Sequence, residues 1–354
     1  MQYGRHWRLA LAGVLITFYA LALWNSPEKK GGGWGAESDY GYQPDPIGTQ
    51  RFLAELDQPL FSSAGRDAIK KAQGRDTFLY RAAVQAFRER YGRDWVVERQ
   101  GIGDCVAWAY SHGIWIAASQ DWQLGEISEP PLFPCVEAIY GGSRCEARGR
   151  SFAGYSDGSY GGAASRWLHD WGVIWRQDYE EKNGGGRVDL LEYSAARSKE
   201  WGAHGCGGKG NEWLDAEAKA YPAAHVALVT TFEEAAAAIE SGYPVAVCSG
   251  VGFSKRLEPG GWSERQGSWA HAMLFCGVRY GDRPGLLCLN SWGPTWNGPR
   301  ENRWPDDMPA GSFWVDVETV NAMLGGWKDS FAIGGVQGFK WRDISHDNWL
   351  GSEK

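Results

Sequence analysis

The pattern of hydrophobic and polar positions identifies one segment that is apolar on almost every side. It covers residues 106–118 and follows a glycine-containing loop and Asp104, a residue type that often caps helix N-termini. A helix that is apolar on most of its faces is normally a buried helix. The pattern therefore predicts a central helix whose first turn contains Cys105.

Apolar residues at helical spacing predict further helices after Asp76 and over residues 163–171, whereas residues 135–155 are expected to form a loop. In the second half the apolar residues come in short runs that are typical of strands. The expected strands cover residues 225–229, 243–248, 272–278, 286–289 and 312–317. Thr231 and Glu234 match a capping box for a helix between the first two strands. Helices followed by a mostly β half indicate an α+β fold class.

Shifts in composition divide the chain into three parts. Positive residues precede an apolar run over residues 9–24, so residues 1–26 are predicted to be a signal peptide or an uncleaved signal anchor. Residues 27–75 begin Gly- and Pro-rich and are predicted to be a flexible tether or short pro-like segment. Residues 76–345 are expected to form the folded domain, with a helical lobe over about 76–222 and a β lobe over about 223–345. The domain is therefore expected to be exported, either secreted or anchored to a membrane.

Bulk composition narrows the classes of partner. The chain is 43% hydrophobic and 22% charged, which is typical of a globular protein, and its net charge of −7 gives no support to nucleic-acid binding. The 21 tryptophans could stack on sugars, but large aromatic residues more often line cores and grooves. His204 and Cys206 lie close together without further metal ligands nearby, so neither a metal nor a cofactor is expected.

Seven cysteines are compatible with an exported protein. If Cys105 stays free for chemistry, the remaining number is even, which permits disulfides without requiring them. The pair expected to form one is Cys135 and Cys145, which flank a Gly-Gly turn. The cysteines in the β-like runs are expected to be buried thiols.

Cys105 itself has two interpretations. In the first turn of a helix, free amide N–H groups and the helix dipole lower the pKa of a thiol and favour a nucleophilic thiolate. Gln100, just upstream, could turn its amide toward the same point. Alternatively, Cys105 is a buried structural thiol, because cysteine is among the most buried residue types. The segment alone leaves both interpretations open.

Two downstream residues favour the nucleophile. His271 opens one arm of the expected hairpin and Asn290 closes the other, so strand register can bring them side by side. A thiol that attacks a carbonyl carbon needs a base beside it, and an imidazole base needs a third group that fixes its tautomer and orientation. Asn290 can do this without a charge. Cysteine, histidine and asparagine together predict a catalytic set.

At these residues the sequence resembles the papain-like cysteine peptidases, over residues 76–338. The most specific match is Asn290-Ser291-Trp292-Gly293 with Trp296 following, which is close to the NSWG-x-x-W signature of the family. The order Cys, His, Asn is also that of the family. The resemblance points to a divergent bacterial or phage-type branch, and it implies a two-lobe fold with the active-site cleft between the lobes.

The resemblance also implies residue roles. Cys105 would be the nucleophile, His271 the general base and acid, Asn290 its orienting partner, and the indole of Trp292 a shield for the Asn–His bond. Gln100 and the backbone N–H of Cys105 would form the oxyanion hole. The paired glycines Gly161 and Gly162 would bind an extended substrate through their backbone, because no side chain blocks close approach. The long inhibitory propeptide of the family is not evident.

The leading hypothesis is a monomeric, exported cysteine-type peptidase that hydrolyses peptide or protein substrates. Two alternatives remain open. The first is a Cys/His cell-wall amidase or endopeptidase acting on peptidoglycan, since such enzymes also place a cysteine at a helix start. The second is a catalytically inactive papain-like module that uses a Trp-rich groove to hold a partner or glycan.

Overall fold

A long helix packed against an antiparallel sheet organises the chain. The computed structural model describes residues 40–149, 157–181, 184, 186–220, 225–298, 302–334 and 338–344. All of these belong to one unit that extends from residue 36 to the C-terminus. The predicted signal segment lies outside the described residues. Within the described ranges, no helix has both the length and the apolar character that a membrane crossing requires.

Helices predominate in the first half, and small strands accompany them. The helices are α1 (Pro46–Leu53), α2 (Phe61–Ala64), α3 (Arg66–Lys71), α4 (Tyr80–Tyr91), α5 (Cys105–Gln123), α6 (Val136–Arg144), α7 (Gly161–Asp170), α8 (Ala195–His204) and α9 (Leu214–Lys219). The small strands are β1 (Thr77–Phe78), β2 (Asp178–Glu180) and β3 (Arg187–Asp189). The helix expected after Asp76 therefore starts only at Tyr80, because Thr77 and Phe78 first pair with the sheet.

Helix α5 is the predicted central helix, and nearly all of its residues are buried. Gly113 allows it to lie directly on the sheet. A Cβ on Gly113 would stand only 2.4 Å from Cδ1 of Ile333 and 3.2 Å from Cδ1 of Leu274. Helix α5 thus presses its middle against two strands and holds its first residue, Cys105, at the end of this contact.

Helix α6 corrects the sequence-based expectation of a loop over residues 135–155. Its glycines were interpreted as a turn, but they serve close packing. A Cβ on Gly142 would stand 2.2 Å from the indole of Trp167, and one on Gly141 would stand 2.7 Å from the carbonyl oxygen of Gly205. Glycine here allows α7 and the end of α8 to approach the helix.

The same helix explains why the expected Cys135–Cys145 disulfide is wrong for this structure. Cys135 and Cys145 flank α6 at opposite ends, about 15 Å apart at 1.5 Å per residue, and a disulfide needs Cα atoms within about 7 Å. The Cys135 thiol instead donates to Glu137, and the Cys145 thiol to the carbonyl of Gly202. All seven cysteines have free thiols.

The second half builds the sheet. Its elements are β4 (Val226–Leu228), α10 (Phe232–Glu240), β5 (Val245–Phe253), β6 (Arg265–Arg279), β7 (Gly285–Leu289), β8 (Ser312–Asp316), α11 (Val317–Trp327) and β9 (Phe331–Ile333). The strand order is β4-β9-β5-β6-β7-β8, β1 also pairs with β6, and every pairing is antiparallel. The expected mixture of helices and antiparallel strands is confirmed. The division into two lobes stays a prediction.

Local signals account for two helices in this half. The Thr231 hydroxyl caps α10 by accepting the N–H of Glu234 at 3.2 Å, as the capping-box pattern predicts. The Glu234 carboxylate, however, reaches the N–H of Thr230 and not that of Thr231. Helix α11 was not predicted, although Asp316 caps it by accepting the N–H of Thr319 at 2.9 Å.

The described part of the predicted tether, residues 40–75, contains α1, α2 and α3, which corrects the expectation that residues 27–75 are flexible over this part of the chain. Asp45 caps α1 by accepting the N–H of Gly48 at 2.9 Å, and Pro46 occupies the first helical position. Thr49 and Phe52 are buried. This segment is therefore part of the domain. Near its N-terminal end, the backbone N–H of Gly41 faces the Cys105 sulfur.

Candidate active site

Cys105 is the first residue of α5 and is completely buried. The backbone N–H groups of Ala272, Gly41 and Val106 face its sulfur and lower its pKa, but burial dominates and raises that pKa to about 12. The expectation that the helix start favours a thiolate is therefore wrong for this form of the protein. The amide N–H groups at the helix start do lower the pKa of the thiol, but the cost of desolvating the thiolate raises it by more.

Asp104 precedes the thiol and does not cap α5 with its side chain. Its carboxylate instead accepts hydrogen bonds from the Tyr193 hydroxyl at 2.9 Å and the Ser198 hydroxyl at 2.7 Å. Burial raises the pKa of Asp104 to about 7, against the lowering effect of these two donors. When ionised, this carboxylate further raises the pKa of the Cys105 thiol.

His271 and Asn290 meet as the hairpin register predicts. His271 lies in β6, Asn290 directly follows β7, and Leu274 pairs with Leu289 between them. The Nε2 atom of His271 is 2.8 Å from Oδ1 of Asn290. Burial lowers the pKa of His271 to about 4, although the bond to Asn290 opposes this. The Nδ1 atom has no hydrogen-bond partner among the described residues.

Trp292 covers the imidazole, as the resemblance implied for this residue. Its indole and the His271 ring have centroids 4.5 Å apart and planes inclined by 33°. Trp292 is buried, and Trp269 packs against it with a centroid distance of 4.8 Å. The rings of Trp292 and Trp269 thus form an apolar surface against His271. The role of Trp292 as a shield for the Asn–His bond stays a prediction.

Gln100 connects the loop before the thiol with the segment after Asn290. Its side-chain amide donates to the carbonyl of Ile102 at 3.0 Å and accepts from the Ser291 hydroxyl at 2.7 Å, and its backbone N–H donates to the Ser291 carbonyl. The residue is thus close to the site and firmly held. Its role in an oxyanion hole stays a prediction.

The paired glycines lie at the start of α7, but their N–H groups are engaged. Gly161 donates to Oδ2 and Gly162 to Oδ1 of Asp329, both at 2.7 Å. A Cβ on Gly162 would also stand 2.7 Å from the Thr49 hydroxyl oxygen. In this form the two glycines cannot use their N–H groups to pair with an extended chain, because both groups already donate to the carboxylate of Asp329.

The backbone pairing is made instead by Ser159 with residues 40–43, which we call the N-terminal strap. The Ser159 N–H donates to the carbonyl of Gly41 at 2.9 Å, and the N–H of Gln43 donates to the carbonyl of Ser159 at 2.8 Å, in a parallel arrangement. On the other side of the strap, the backbone N–H of Tyr42 donates to the carbonyl of Ala270 at 3.0 Å. The strap therefore joins the segment before α7 to strand β6, which contains His271.

The strap also contacts the reacting groups. The N–H of Gly41 faces the Cys105 sulfur. The Tyr40 ring packs edge-on against His271 and Trp292, with centroid distances of 6.4 Å and 5.8 Å. Composition suggested a linker here, and only the long-range contacts reveal that these residues cover the site.

The Tyr42 side chain of the strap lies close to the buried carboxyl group of Asp329. Its side chain is buried, and burial followed by the charge of Asp329 raises its pKa well above the usual value. Burial likewise raises the pKa of Asp329 to about 7, against hydrogen bonds from Thr49 and the two glycine amides. Nothing in the sequence pattern marked Asp329, which is brought here by the chain reversal between α11 and β9.

The described residues contain no group of three or more His, Cys, Asp and Glu side chains placed to hold a metal ion. The side chains that the structure brings together at the site are the Cys105 thiol, the His271 imidazole and the Asn290 amide, with the Trp292 indole packed on the imidazole.

Comparisons with known proteins find structural relatives only. No protein-family model and no curated protein matches the chain. The crystal structure of xylellain, a cysteine protease from Xylella fastidiosa, matches with a TM-score of 0.53 and 17% identity over 86% of this chain and 98% of that one. A digestive procathepsin L 3 of Tenebrio molitor larvae matches with a TM-score of 0.44 and 16% identity over 84% of both chains. The fold is thus similar to that of papain-like cysteine proteases.

Proposed function

We propose that this protein is a cysteine-type peptidase that hydrolyses peptide bonds through a thioester intermediate. The observation that carries the proposal is the 2.8 Å contact between Nε2 of His271 and Oδ1 of Asn290, which leaves Nδ1 uncommitted next to the segment that contacts Cys105. The fold shared with xylellain supports the same reading. The apolar N-terminal segment supports export, followed by secretion or membrane anchorage, and we propose that the enzyme acts as a monomer.

In the proposed reaction the proton of Cys105 passes to Nδ1 of His271. The thiolate attacks the carbonyl carbon of the peptide bond, and the new oxyanion accepts hydrogen bonds from the Cys105 backbone N–H and the Gln100 amide. His271 returns the proton to the leaving amine as the C–N bond breaks. Water, deprotonated by His271, then attacks the thioester, releases the acid and regenerates the thiol.

The roles of Asn290 and Trp292 follow from the same geometry. Asn290 holds Nε2, which fixes the tautomer and turns Nδ1 toward the thiol side. Trp292 reduces competition from water for the Asn–His hydrogen bond, because a hydrogen bond in a low-dielectric environment is stronger. Both residues would act through His271 and not on the substrate.

We further propose that the described form is latent. With the strap in place the Cys105 thiol has a pKa of about 12 and His271 a pKa of about 4, so both groups are neutral near pH 7. Nδ1 of His271 makes no hydrogen bond within the described part of the chain. Departure of the strap would admit water and substrate, reduce the desolvation of both groups, and favour transfer of the proton from sulfur to nitrogen.

The experiment that tests the function is peptide hydrolysis by the full chain, with Cys105→Ala as the inactive variant and Cys276→Ala as the control. Cys276 is a buried thiol in β6 outside the proposed machinery. Because the strap limits access, we expect slow basal cleavage of a peptide library by the wild type and by Cys276→Ala, and none by Cys105→Ala. If purified cell walls release muropeptides while peptide libraries stay intact, the cell-wall alternative replaces this proposal.

A further inference from the structure

The Tyr193 hydroxyl connects two residues of the loop that ends at Cys105. It accepts a hydrogen bond from the backbone N–H of Gly101 at 3.0 Å and donates one to Oδ2 of Asp104 at 2.9 Å. The first of these residues directly follows Gln100, and the second directly precedes Cys105. One hydroxyl therefore spans the loop between the two residues that are proposed to supply the oxyanion hole, although the proposed reaction gives it no role.

The position of the Gln100 amide depends on this loop. The backbone N–H of Gln100 is fixed to the carbonyl of Ser291, but its side-chain amide donates to the carbonyl of Ile102 at 3.0 Å, within the loop itself. The same carbonyl accepts the backbone N–H of Asp104 at 2.8 Å. A change in the conformation of residues 101–104 would therefore move the Gln100 amide relative to the Cys105 N–H.

Tyr193 is itself held in place. Its ring packs against that of Trp108 in α5, with a centroid distance of 4.9 Å. The backbone N–H of the next residue, Ser194, donates to Oε1 of Glu137 at 2.8 Å, and Glu137 is fully buried in α6. Burial raises the pKa of Tyr193, so its hydroxyl keeps the proton that it donates. The hydroxyl is thus a fixed point against which the loop is held.

Helix α8 supports the loop on the same side. A Cβ on Gly101 would stand 2.6 Å from Cβ of Ala195, the first residue of this helix. The hydroxyl of Ser198, one turn further along, donates to the same Asp104 oxygen as Tyr193 does, at 2.7 Å. Of these contacts, the Tyr193 hydroxyl makes the one that joins Gly101 to Asp104.

We propose that Tyr193 is a positioning residue for the oxyanion hole. Its hydroxyl fixes the separation of Gly101 and Asp104, and the loop so held directs the Gln100 amide and the Cys105 N–H toward one point. This inference rests on the proposed peptidase function. Tyr193 acts through the loop and touches no reacting atom, so it should affect the transition state more than substrate binding.

The test is steady-state peptide hydrolysis by the full chain and by Tyr193→Phe, which keeps the ring on Trp108 and removes only the hydroxyl. We expect kcat to fall at least about tenfold and KM to stay within about twofold. Tyr91→Phe is the matched control, because the Tyr91 hydroxyl also accepts a backbone N–H, that of Phe133 at 3.3 Å, away from the loop. Its kcat should equal that of the wild type.

Two further measurements separate positioning from general damage. Alkylation of Cys105 by iodoacetamide needs an accessible thiol but forms no oxyanion, so its rate in Tyr193→Phe should stay within about twofold of the wild-type rate. A peptide aldehyde, whose adduct with the thiol resembles the tetrahedral intermediate, should bind Tyr193→Phe at least about tenfold more weakly. Ser198→Ala keeps the bond to Gly101, so its kcat should fall less than that of Tyr193→Phe.

The outcomes distinguish this inference from the proposed function. A wild type without turnover would refute both. A wild type that turns over, with an equal kcat in Tyr193→Phe, would refute the positioning role alone. An equal loss in Ser198→Ala, or slower alkylation that matches the loss of kcat, would also refute it. Should Tyr193→Phe fail to fold, Gly101→Ala displaces the loop from Ala195 instead and should show the same split between kcat and alkylation.

Discussion

Gly41 of the strap lies against Gly103 so closely that a Cβ on Gly41 would stand 1.8 Å from the Gly103 carbonyl oxygen. Only glycine can occupy that position without moving one of the two segments. Because Gly103 belongs to the loop that ends at Cys105, this contact couples the position of the strap to the accessibility of the thiol.

Gly41→Ala should therefore loosen the strap and expose Cys105. We expect the rate of labelling by a thiol-directed epoxide to rise about 10- to 100-fold, the equivalent of about 1.4–2.7 kcal/mol in the closing equilibrium. Gly325→Ala is the control, because a Cβ at Gly325 meets no atom within 4 Å. Equal labelling rates for the wild type and Gly41→Ala would show that the strap does not limit access.

Asn290→Ala should lower turnover because His271 would lose the group that fixes its ring. We expect kcat to fall by about 10- to 10³-fold with KM nearly unchanged, since Asn290 would act on the transition state through the imidazole. Steady-state kinetics on a peptide substrate check this. An unchanged kcat, with the fold intact by circular dichroism, would remove Asn290 from the mechanism.

The pH dependence of stability should reflect Asp104. Its pKa is about 7 in the folded protein and about 3.9 in an unfolded chain, so between these values the folded state binds more protons. The contribution of Asp104 to stability is therefore full below pH 4 and is lost as the pH rises toward 7. We expect Asp104→Asn, whose side chain does not titrate, to reduce this loss by about 1–4 kcal/mol. Urea unfolding at pH 4.5 and pH 7.5 measures the difference, and identical pH slopes for both proteins would contradict the assignment.

Gly142→Ala should destabilise the domain. The new Cβ would stand 2.2 Å from the Trp167 indole, and overpacking of this kind costs about 1–3 kcal/mol. Gly326→Ala, in α11 with no atom within 4 Å of its Cβ, should be neutral or slightly stabilising. Thermal unfolding of the two variants compares them directly, and equal melting temperatures would disprove the packing role of Gly142.

Local sequence patterns predicted the parts of the structure that local forces determine. The apolar run over residues 106–118 predicted α5, and Thr231 was recognisable as a helix cap. The register of the hairpin predicted that His271 and Asn290 lie side by side. These features depend on residues within one element or on two strands joined by a short turn. The similarity to papain-like structures agrees with the fold expected from the resemblance.

The features that were not predicted depend on contacts between distant segments. The Gly141-Gly142 pair looks like a turn until Trp167 and Gly205 are known to press against it. The pKa of the Cys105 thiol was expected to fall. The strap and the surrounding core instead bury Cys105, and this burial raises its pKa. Asp329 could not be linked to the paired glycines, since nothing in either segment indicates that they meet.

The central claim is that Cys105 is the nucleophile of a peptidase that the strap keeps latent. Labelling of Gly41→Ala with an epoxide inhibitor of cysteine peptidases, followed by mass mapping of the adduct, tests it most directly. The account predicts one adduct, on the peptide that contains Cys105, and no adduct in the Gly41→Ala/Cys105→Ala double variant. A folded Gly41→Ala protein that remains unlabelled, or that carries the label on another cysteine, would contradict it.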